Sequence, residues 1–183
     1  SKFKINIDKV FMDDINFLRS LKSDIKFKKN NLVNLNLSGN FADNKKLALT
    51  IRTNENNEKI TTFVAENAKP FVKKYKFIKG FEEGYLDFYS IKKNNISKSK
   101  LKINDFKLKE VPALTKILTL ASLQGIADLL TGEGIRFDEF EMNFENKKNL
   151  MTINEIYSIG PAISILMEGY VEGKNLVSLR GTL

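Results

Sequence analysis

The stretch VNLNLSGNF at residues 33–41 alternates apolar and polar residues with a period of two. Successive side chains of a β-strand point to opposite faces, so this pattern predicts a strand with one apolar and one solvated face. The alternation returns at residues 47–51, and a polar turn at 54–57 leads to a third alternating run at 60–64. These segments predict antiparallel neighbours joined by a hairpin.

Similar strand-like runs occur on both sides of this region. They cover residues 3–7, 84–92, 98–109, 135–144, 150–158, 162–171 and 176–183. Short polar separators between them predict an antiparallel meander. In the run 98–109 the apolar phase shifts after Ile103, which predicts a β-bulge or a strand bend. Residues 8–22 fit either a helix or a continuous strand, and we favour the strand.

Two segments break the period of two. Residues 69–78 carry Pro70 near a possible helix start and aromatic residues four apart, which predicts a short helix. Residues 112–131 have apolar residues at helical spacing up to two glycines, which predicts a long amphipathic helix too short and too polar to span a bilayer. The predicted class is therefore α+β, with a curved, mainly antiparallel sheet and these two helices.

The composition excludes several kinds of chemistry. The 183 residues include no His, Cys or Trp. Common nucleophile–base pairs therefore lack one member, and most zinc, haem and iron–sulfur sites lack their ligands. The net charge is +8, but only four of the 30 basic residues are Arg, the residue best suited to phosphate and base-edge contacts. We therefore expect no nucleic-acid partner.

Acidic residues around one predicted strand are the only candidates for catalysis or metal binding. Glu133, Asp138, Glu139 and Glu141 lie close together in sequence. Because Glu139 and Glu141 alternate with apolar residues, a solvated strand face explains them more simply than a site does. No phosphate-binding, calcium-binding or dinucleotide motif is present in the sequence. We expect a protein that is not an enzyme and has no cofactor.

The segment VPALTKILTLASLQGIADLLTGEGIRFD, residues 111–138, resembles the C-terminal region of AsmA-like proteins of Gram-negative envelopes. The similarity rests on a PAL start, an LASLQG centre and a GEGIRF exit. Residues 102–109, the Gly160-Pro161 pair and the closing LRGTL at 179–183 extend the match.

This resemblance implies a single domain, 1–183, that is a C-terminal periplasmic piece of a longer protein anchored in the inner membrane. AsmA-like proteins are similar to the bridge-like lipid-transfer family, in which phospholipid acyl chains pass along an apolar β-sheet groove. The implied role is phospholipid transport between the inner and outer membranes and outer-membrane lipid homeostasis. The alternative is a structural cap or a protein-interaction module that ends the groove, docks an envelope partner and contacts no lipid.

Under the lipid interpretation, the inward apolar side chains would contact acyl chains. These candidates are Val33, Leu35, Leu37, Leu47, Leu49, Ile51, Ile163, Ile165 and Met167 on strands, and Leu118 and Leu123 on the long helix. The same side chains could instead form an ordinary core. Four basic residues of the short helix are candidates for lipid headgroup contact, although a solvated helix face is the favoured explanation: Lys69, Lys73, Lys74 and Lys76.

Overall fold

The computed structural model describes residues 1–73, 79–110, 132–161, 163–173 and 176–182. They form eleven β-strands and one helical turn. The elements are β1 (Lys2–Phe11), β2 (Phe17–Lys28), β3 (Asn31–Phe41), β4 (Lys46–Thr53), β5 (Lys59–Ala65), α1 (Lys69–Val72), β6 (Lys79–Lys93), β7 (Ile96–Glu110), β8 (Ile135–Lys147), β9 (Leu150–Ile159), β10 (Ser164–Glu172) and β11 (Leu176–Thr182).

All eleven strands belong to one antiparallel sheet, and their order in the sheet is their order in the chain. Short turns make this possible, because antiparallel neighbours can be joined directly. Between β2 and β3, Lys29 and Asn30 both adopt positive φ, of 47° and 62°, as a two-residue type I′ hairpin turn requires. Strands β1 and β11 lie at opposite edges of the sheet.

The predicted α+β class is wrong, because the described residues form one antiparallel sheet with a single helical turn. The long helix predicted for 112–131 lies outside the described residues. Of the short helix predicted for 69–78, the structure describes 69–73 and has one turn there, at Lys69–Val72. Within the described ranges, none of the helical structure is long and apolar enough to cross a membrane.

Residues 8–22 do not form a continuous strand. Strand β1 ends at Phe11 and β2 begins at Phe17, and a tight turn joins them. The carboxylate of Asp13 closes this turn by accepting hydrogen bonds from the backbone N–H groups of Ile15 and Asn16, at 2.9 and 2.6 Å. A short polar side chain that bonds to its own backbone commonly fixes such turns.

The apolar phase of β7 shifts at Asp105, but without a bulge. Strand β7 stays in register across this point, since Glu83 lies opposite Phe106 and Tyr85 opposite Asn104. Asp105 itself has a φ of 53°. This local change in the backbone shifts the apolar side chains to the other phase without the extra residue that a bulge would insert. Apolar residues three apart therefore face the same side of the sheet.

The buried core lies at one end of the sheet, beside α1. Phe137 and Ile135 are its largest fully buried side chains. The buried members of the cluster are Leu18, Phe41, Leu47, Ala65, Ala68, Val72, Phe81, Leu86, Ile103, Phe106, Ile135, Phe137 and Ile163. Toward the opposite end, which carries the β2–β3 and β8–β9 turns, most apolar side chains are half-buried or exposed, and Ile153 is the exception at 6% exposed.

Candidate apolar ligand-binding face

One row of side chains crosses the whole sheet at its middle, with one residue from each strand facing the same side. We call it the central row. It comprises, from β1 to β11, Ile5, Ser23, Leu37, Leu49, Phe63, Phe88, Leu101, Met142, Ile156, Met167 and Gly181. Nine of these eleven residues are apolar and none is charged. Ten strand spacings of about 4.8 Å make the row about 48 Å long along the sheet.

The central row is partly accessible over most of its length. Leu37, Leu49, Phe63 and Leu101 are half-buried although their strands lie inside the sheet. At the β1 edge, Ile5 keeps 40% of its surface exposed. A sheet face that is covered by a second layer buries such residues much more completely, as the core beside α1 does. From Leu37 to Met167 the row is therefore a continuous apolar strip over eight strands that a ligand can contact, and the buried Ser23 separates this strip from Ile5.

A second row lies next to the central row, on the side away from α1, and it is more polar in its middle. Ser90 and Ser99 face each other there, both buried, with their hydroxyl oxygens 2.9 Å apart. Thr61 lies beside Ser90 in the same row. The two serine hydroxyls hydrogen-bond to each other, so covering this polar pair with a ligand costs little free energy. It also limits the width of the uninterrupted apolar strip.

The structure places five of the eleven predicted lipid-contact residues in these two rows. Leu37, Leu49 and Met167 belong to the central row, and Leu35 and Ile51 to the row beside it. Their shared face follows directly from the alternation in the sequence. The strand predictions for these residues are consistent with the structure, whereas their contact with lipid stays a prediction.

Four other predicted contacts have different surroundings. Leu47 and Ile163 are buried in the core beside α1, and Ile165 packs against it. Val33 falls at a register shift between β2 and β3, where Leu32 rather than Val33 lies opposite Phe27. The helix candidates Leu118 and Leu123 lie outside the described residues.

Sequence reasoning missed eight of the eleven residues of the central row. Phe63, Phe88, Leu101, Met142 and Ile156 occupy its middle. Leu101 and Met142 lie in alternating runs that mark them as facing the apolar side. Phe63 does not, because the alternation at 60–64 favours Ile60, Thr62 and Val64, which face the other side. What the sequence could not supply was the register, because the alignment of one strand with the next sets which residues form a row.

The opposite face of the sheet is mostly polar, although Tyr89, Tyr157 and Leu166 are exposed there, and it carries the acidic candidates Glu139 and Glu141. Glu139 binds Lys102 at 2.8 Å, and Glu141 binds Lys100 at 2.7 Å and Lys102 at 3.2 Å. Burial acts most strongly on the pKa of Glu141, raising it, but hydrogen bonds from Lys100, Asn143 and Lys102 outweigh this and lower the pKa to about 2. The hydrogen bonds that Lys102 donates to Glu139 and Glu141 raise the pKa of Lys102.

The carboxylates of Glu139 and Glu141 on β8 thus form ion pairs with lysines of the neighbouring strand β7. Asp138 is exposed, and so is Glu133. Across the described ranges, no set of three or more His, Cys, Asp or Glu side chains is positioned to hold a metal ion. The arrangement stabilises cross-strand pairing, as opposite charges on adjacent strands do.

Two of the four headgroup candidates, Lys69 and Lys73, lie at the α1 end of the sheet. Lys69 and Lys73 are exposed at either end of the helical turn. Lys73 also lines a shallow hollow of about 270 Å³ with Ile15, Asp13 and Pro70, which joins α1 to the β1–β2 turn. Lys74 and Lys76 lie outside the described residues.

Comparisons with known proteins identified no relative of this chain. Neither a family model, nor a curated protein, nor a solved structure matched the chain.

Proposed function

We propose that this chain is a non-enzymatic domain that binds phospholipid acyl chains along the central row. The observation that carries the proposal is the uncharged, half-buried run of eight apolar residues from Leu37 to Met167 over eight strands. A leaflet of acyl chains is about 15 Å deep, half the hydrocarbon core, so this run of seven strand spacings, about 34 Å, is long enough for an extended chain. The proposed location, following the resemblance to AsmA-like proteins, is the periplasm, in a protein anchored to the inner membrane.

The energetics favour this type of ligand. Moving an acyl chain out of a bilayer costs about 0.8 kcal/mol for each methylene exposed to water. A continuous apolar surface replaces the lost contacts, and it needs no catalytic group. Binding of this kind supports movement of phospholipid between the inner and outer membranes, which is the transport function that we propose.

The polar face provides a matched control for testing lipid contact. A photo-crosslinking residue placed at Leu37 or Met142 would lie on the central row, while one at Asn36 or Asn143 would lie on the adjacent position of the same strand and point to the other face. We expect crosslinked phospholipid from the first pair and none from the second, detected by mass spectrometry after expression in a Gram-negative host. Equal labelling at all four positions, or no labelled lipid, would contradict acyl-chain binding.

One observation favours the second candidate function, a cap or interaction module without lipid contact. The core beside α1 is closed, with Ile135 and Phe137 almost inaccessible, as in an ordinary structural domain. A cap would bind an envelope protein and yield no crosslinked lipid from Leu37 or Met142. Protein adducts at these positions in place of lipid adducts would support it.

A further inference from the structure

The β1–β2 turn holds two large apolar side chains in solvent. Among the described residues, Ile15 and Phe11 are the most exposed large apolar side chains, at 75% and 64%. Phe17 lies directly across from Phe11, with ring centroids 5.8 Å apart. Solvent exposure of an aromatic and a branched aliphatic residue at one turn is costly, which marks the turn as a contact surface.

Hydrogen bonds hold the turn closed, so the exposure of these side chains is part of its conformation. Besides its two backbone bonds, the Asp13 carboxylate accepts hydrogen bonds from the side-chain amide of Asn16 at 2.7 and 3.0 Å. These bonds lower the pKa of Asp13 to about 2, so that it stays ionised. The backbone N–H of Met12 closes the turn on the carbonyl oxygen of Asn16 at 2.8 Å. Ile15 projects from this closed turn.

Two cations flank the same aromatic pair. The Lys9 amino group lies 4.6 Å from the Phe11 ring centroid and 4.1 Å from that of Phe17. The Arg19 guanidinium carbon lies 5.2 Å from the Phe17 centroid. We call the surface made by Lys9, Phe11, Ile15, Phe17 and Arg19 the turn patch. It combines apolar tips with long basic side chains whose charged ends can move away from the rings.

We propose that the turn patch docks onto the surface of a bilayer containing anionic phospholipid. Phe11 and Ile15 enter the boundary between headgroups and acyl chains, and Lys9 and Arg19 reach lipid phosphates. Lys9 and Arg19 offset the charges of Asp13 and Asp14 in the turn, and Lys73, at the hollow beside Ile15, leaves the surface with a net positive charge that complements an anionic bilayer. Apolar tips raised on a closed turn suit insertion better than contact with a flat protein face.

Two carboxylates of the turn oppose this docking, Asp13 and Asp14, and the second gives the proposal a sensitive test because it does not accept the hydrogen bonds that close the turn. Asp14 is exposed at the tip of the turn, next to Ile15. An anionic bilayer repels it, so removing its charge strengthens binding. The turn patch acts independently of the central row, and vesicle binding can therefore fail while acyl-chain crosslinking succeeds, or the reverse.

The experiment measures cosedimentation of the full chain with vesicles. One set contains phosphatidylcholine alone, and the other contains equal parts of phosphatidylcholine and phosphatidylglycerol. We expect binding to the anionic set that weakens as salt is raised, about tenfold or greater loss in the Phe11→Ser/Ile15→Ser variant, and weaker, less salt-sensitive binding in Lys9→Gln/Arg19→Gln. Asp14→Asn is expected to bind more tightly than the parent chain.

The matched control removes exposed apolar groups from the far corner of the sheet. Tyr170 and Leu176 are 40% and 49% exposed beside the β10–β11 turn, at the opposite end and edge from the turn patch. The Tyr170→Ser/Leu176→Ser variant is expected to bind like the parent chain. Absence of vesicle binding, equal binding to both vesicle sets, or equal losses in the patch and control variants would overturn the proposal. Thermal unfolding of each variant separates lost folding from lost docking.

Discussion

The rings of Phe106 and Phe137 stack nearly in parallel, with centroids 5.2 Å apart and planes 12° from one another. Phe81 continues the stack on the other side of Phe106, also at 5.2 Å. The three residues lie on neighbouring strands, β6, β7 and β8, just beyond the point where Asp105 shifts the apolar phase. The shift therefore places the Phe106 ring in the buried core beside α1, between the rings of Phe81 and Phe137.

Removing the ring of Phe137 is expected to cost more stability than any other truncation on β8. Phe137 is only 1% exposed, so Phe137→Ala leaves a cavity next to Phe106 and lowers the free energy of unfolding by about 3–5 kcal/mol. Denaturation in urea measures the loss. Phe144→Ala on the same strand is the control, because Phe144 is half-buried and its truncation is expected to cost less. Similar losses for both variants would argue against the closed core.

Gly84 is expected to tolerate no side chain. Its φ is +87°, and a Cβ there would lie 3.1 Å from Phe81 Cζ and 3.2 Å from both Ala68 Cβ and Ile103 Cγ2. Gly84→Ala therefore combines an unfavourable backbone conformation with crowding in the core, for a loss of roughly 2–4 kcal/mol.

Gly173 supplies the control for this substitution. Its φ is +60°, but no atom lies within 4 Å of a Cβ built there. Gly173→Ala is therefore expected to cost only the conformational part, about 1 kcal/mol. Urea denaturation of both variants tests the difference, and equal losses would show that crowding at Gly84 contributes nothing.

The hydroxyls of Ser90 and Ser99 are expected to be coupled. Either single substitution by Ala leaves the other buried hydroxyl without its partner, and lowers the free energy of unfolding by about 1–3 kcal/mol. The double substitution removes both groups, so its loss should be smaller than the sum of the single losses. A double-mutant cycle measures this coupling energy. Strictly additive losses would mean that the two hydroxyls act separately.

Stability is expected to fall on acidification as Glu141 loses its charge. Its folded-state pKa, about 2, lies below the ordinary value of 4.5, so its contribution is fully present above about pH 5 and is lost as the pH falls toward 2. Glu141→Gln should lower stability at neutral pH by about 1–3 kcal/mol, since Lys100 and Lys102 lose a partner. The same variant should show a shallower decline between pH 5 and pH 2.

Urea denaturation over a pH series tests this expectation. Glu172→Gln is the control, because Glu172 is exposed at the end of β10 and its substitution should have little effect on stability. An unchanged pH dependence in Glu141→Gln would mean that other carboxylates dominate the acid sensitivity.

The sequence by itself determined the strands and their two faces. In β3, the alternation from Val33 to Phe41 is a local property of the chain, and it does not depend on which strand lies beside β3. The polar turns were equally local, since residues such as Asn30 and Asn57 accept positive φ. The same local reasoning failed at residues 12–16, where the backbone bonds of Asp13 form a turn that the apolar spacing does not reveal.

Only the tertiary structure decided how the strands combine. Register placed Leu37, Leu49, Phe63 and Leu101 in one row, although no local pattern links strands that are distant in the chain. It also separated Leu47, which is buried, from Leu49, which stays partly accessible two residues later. The physical reason is that alternation fixes which face a side chain occupies, whereas burial depends on what packs over that face, and this is set by pairing and by the core beside α1.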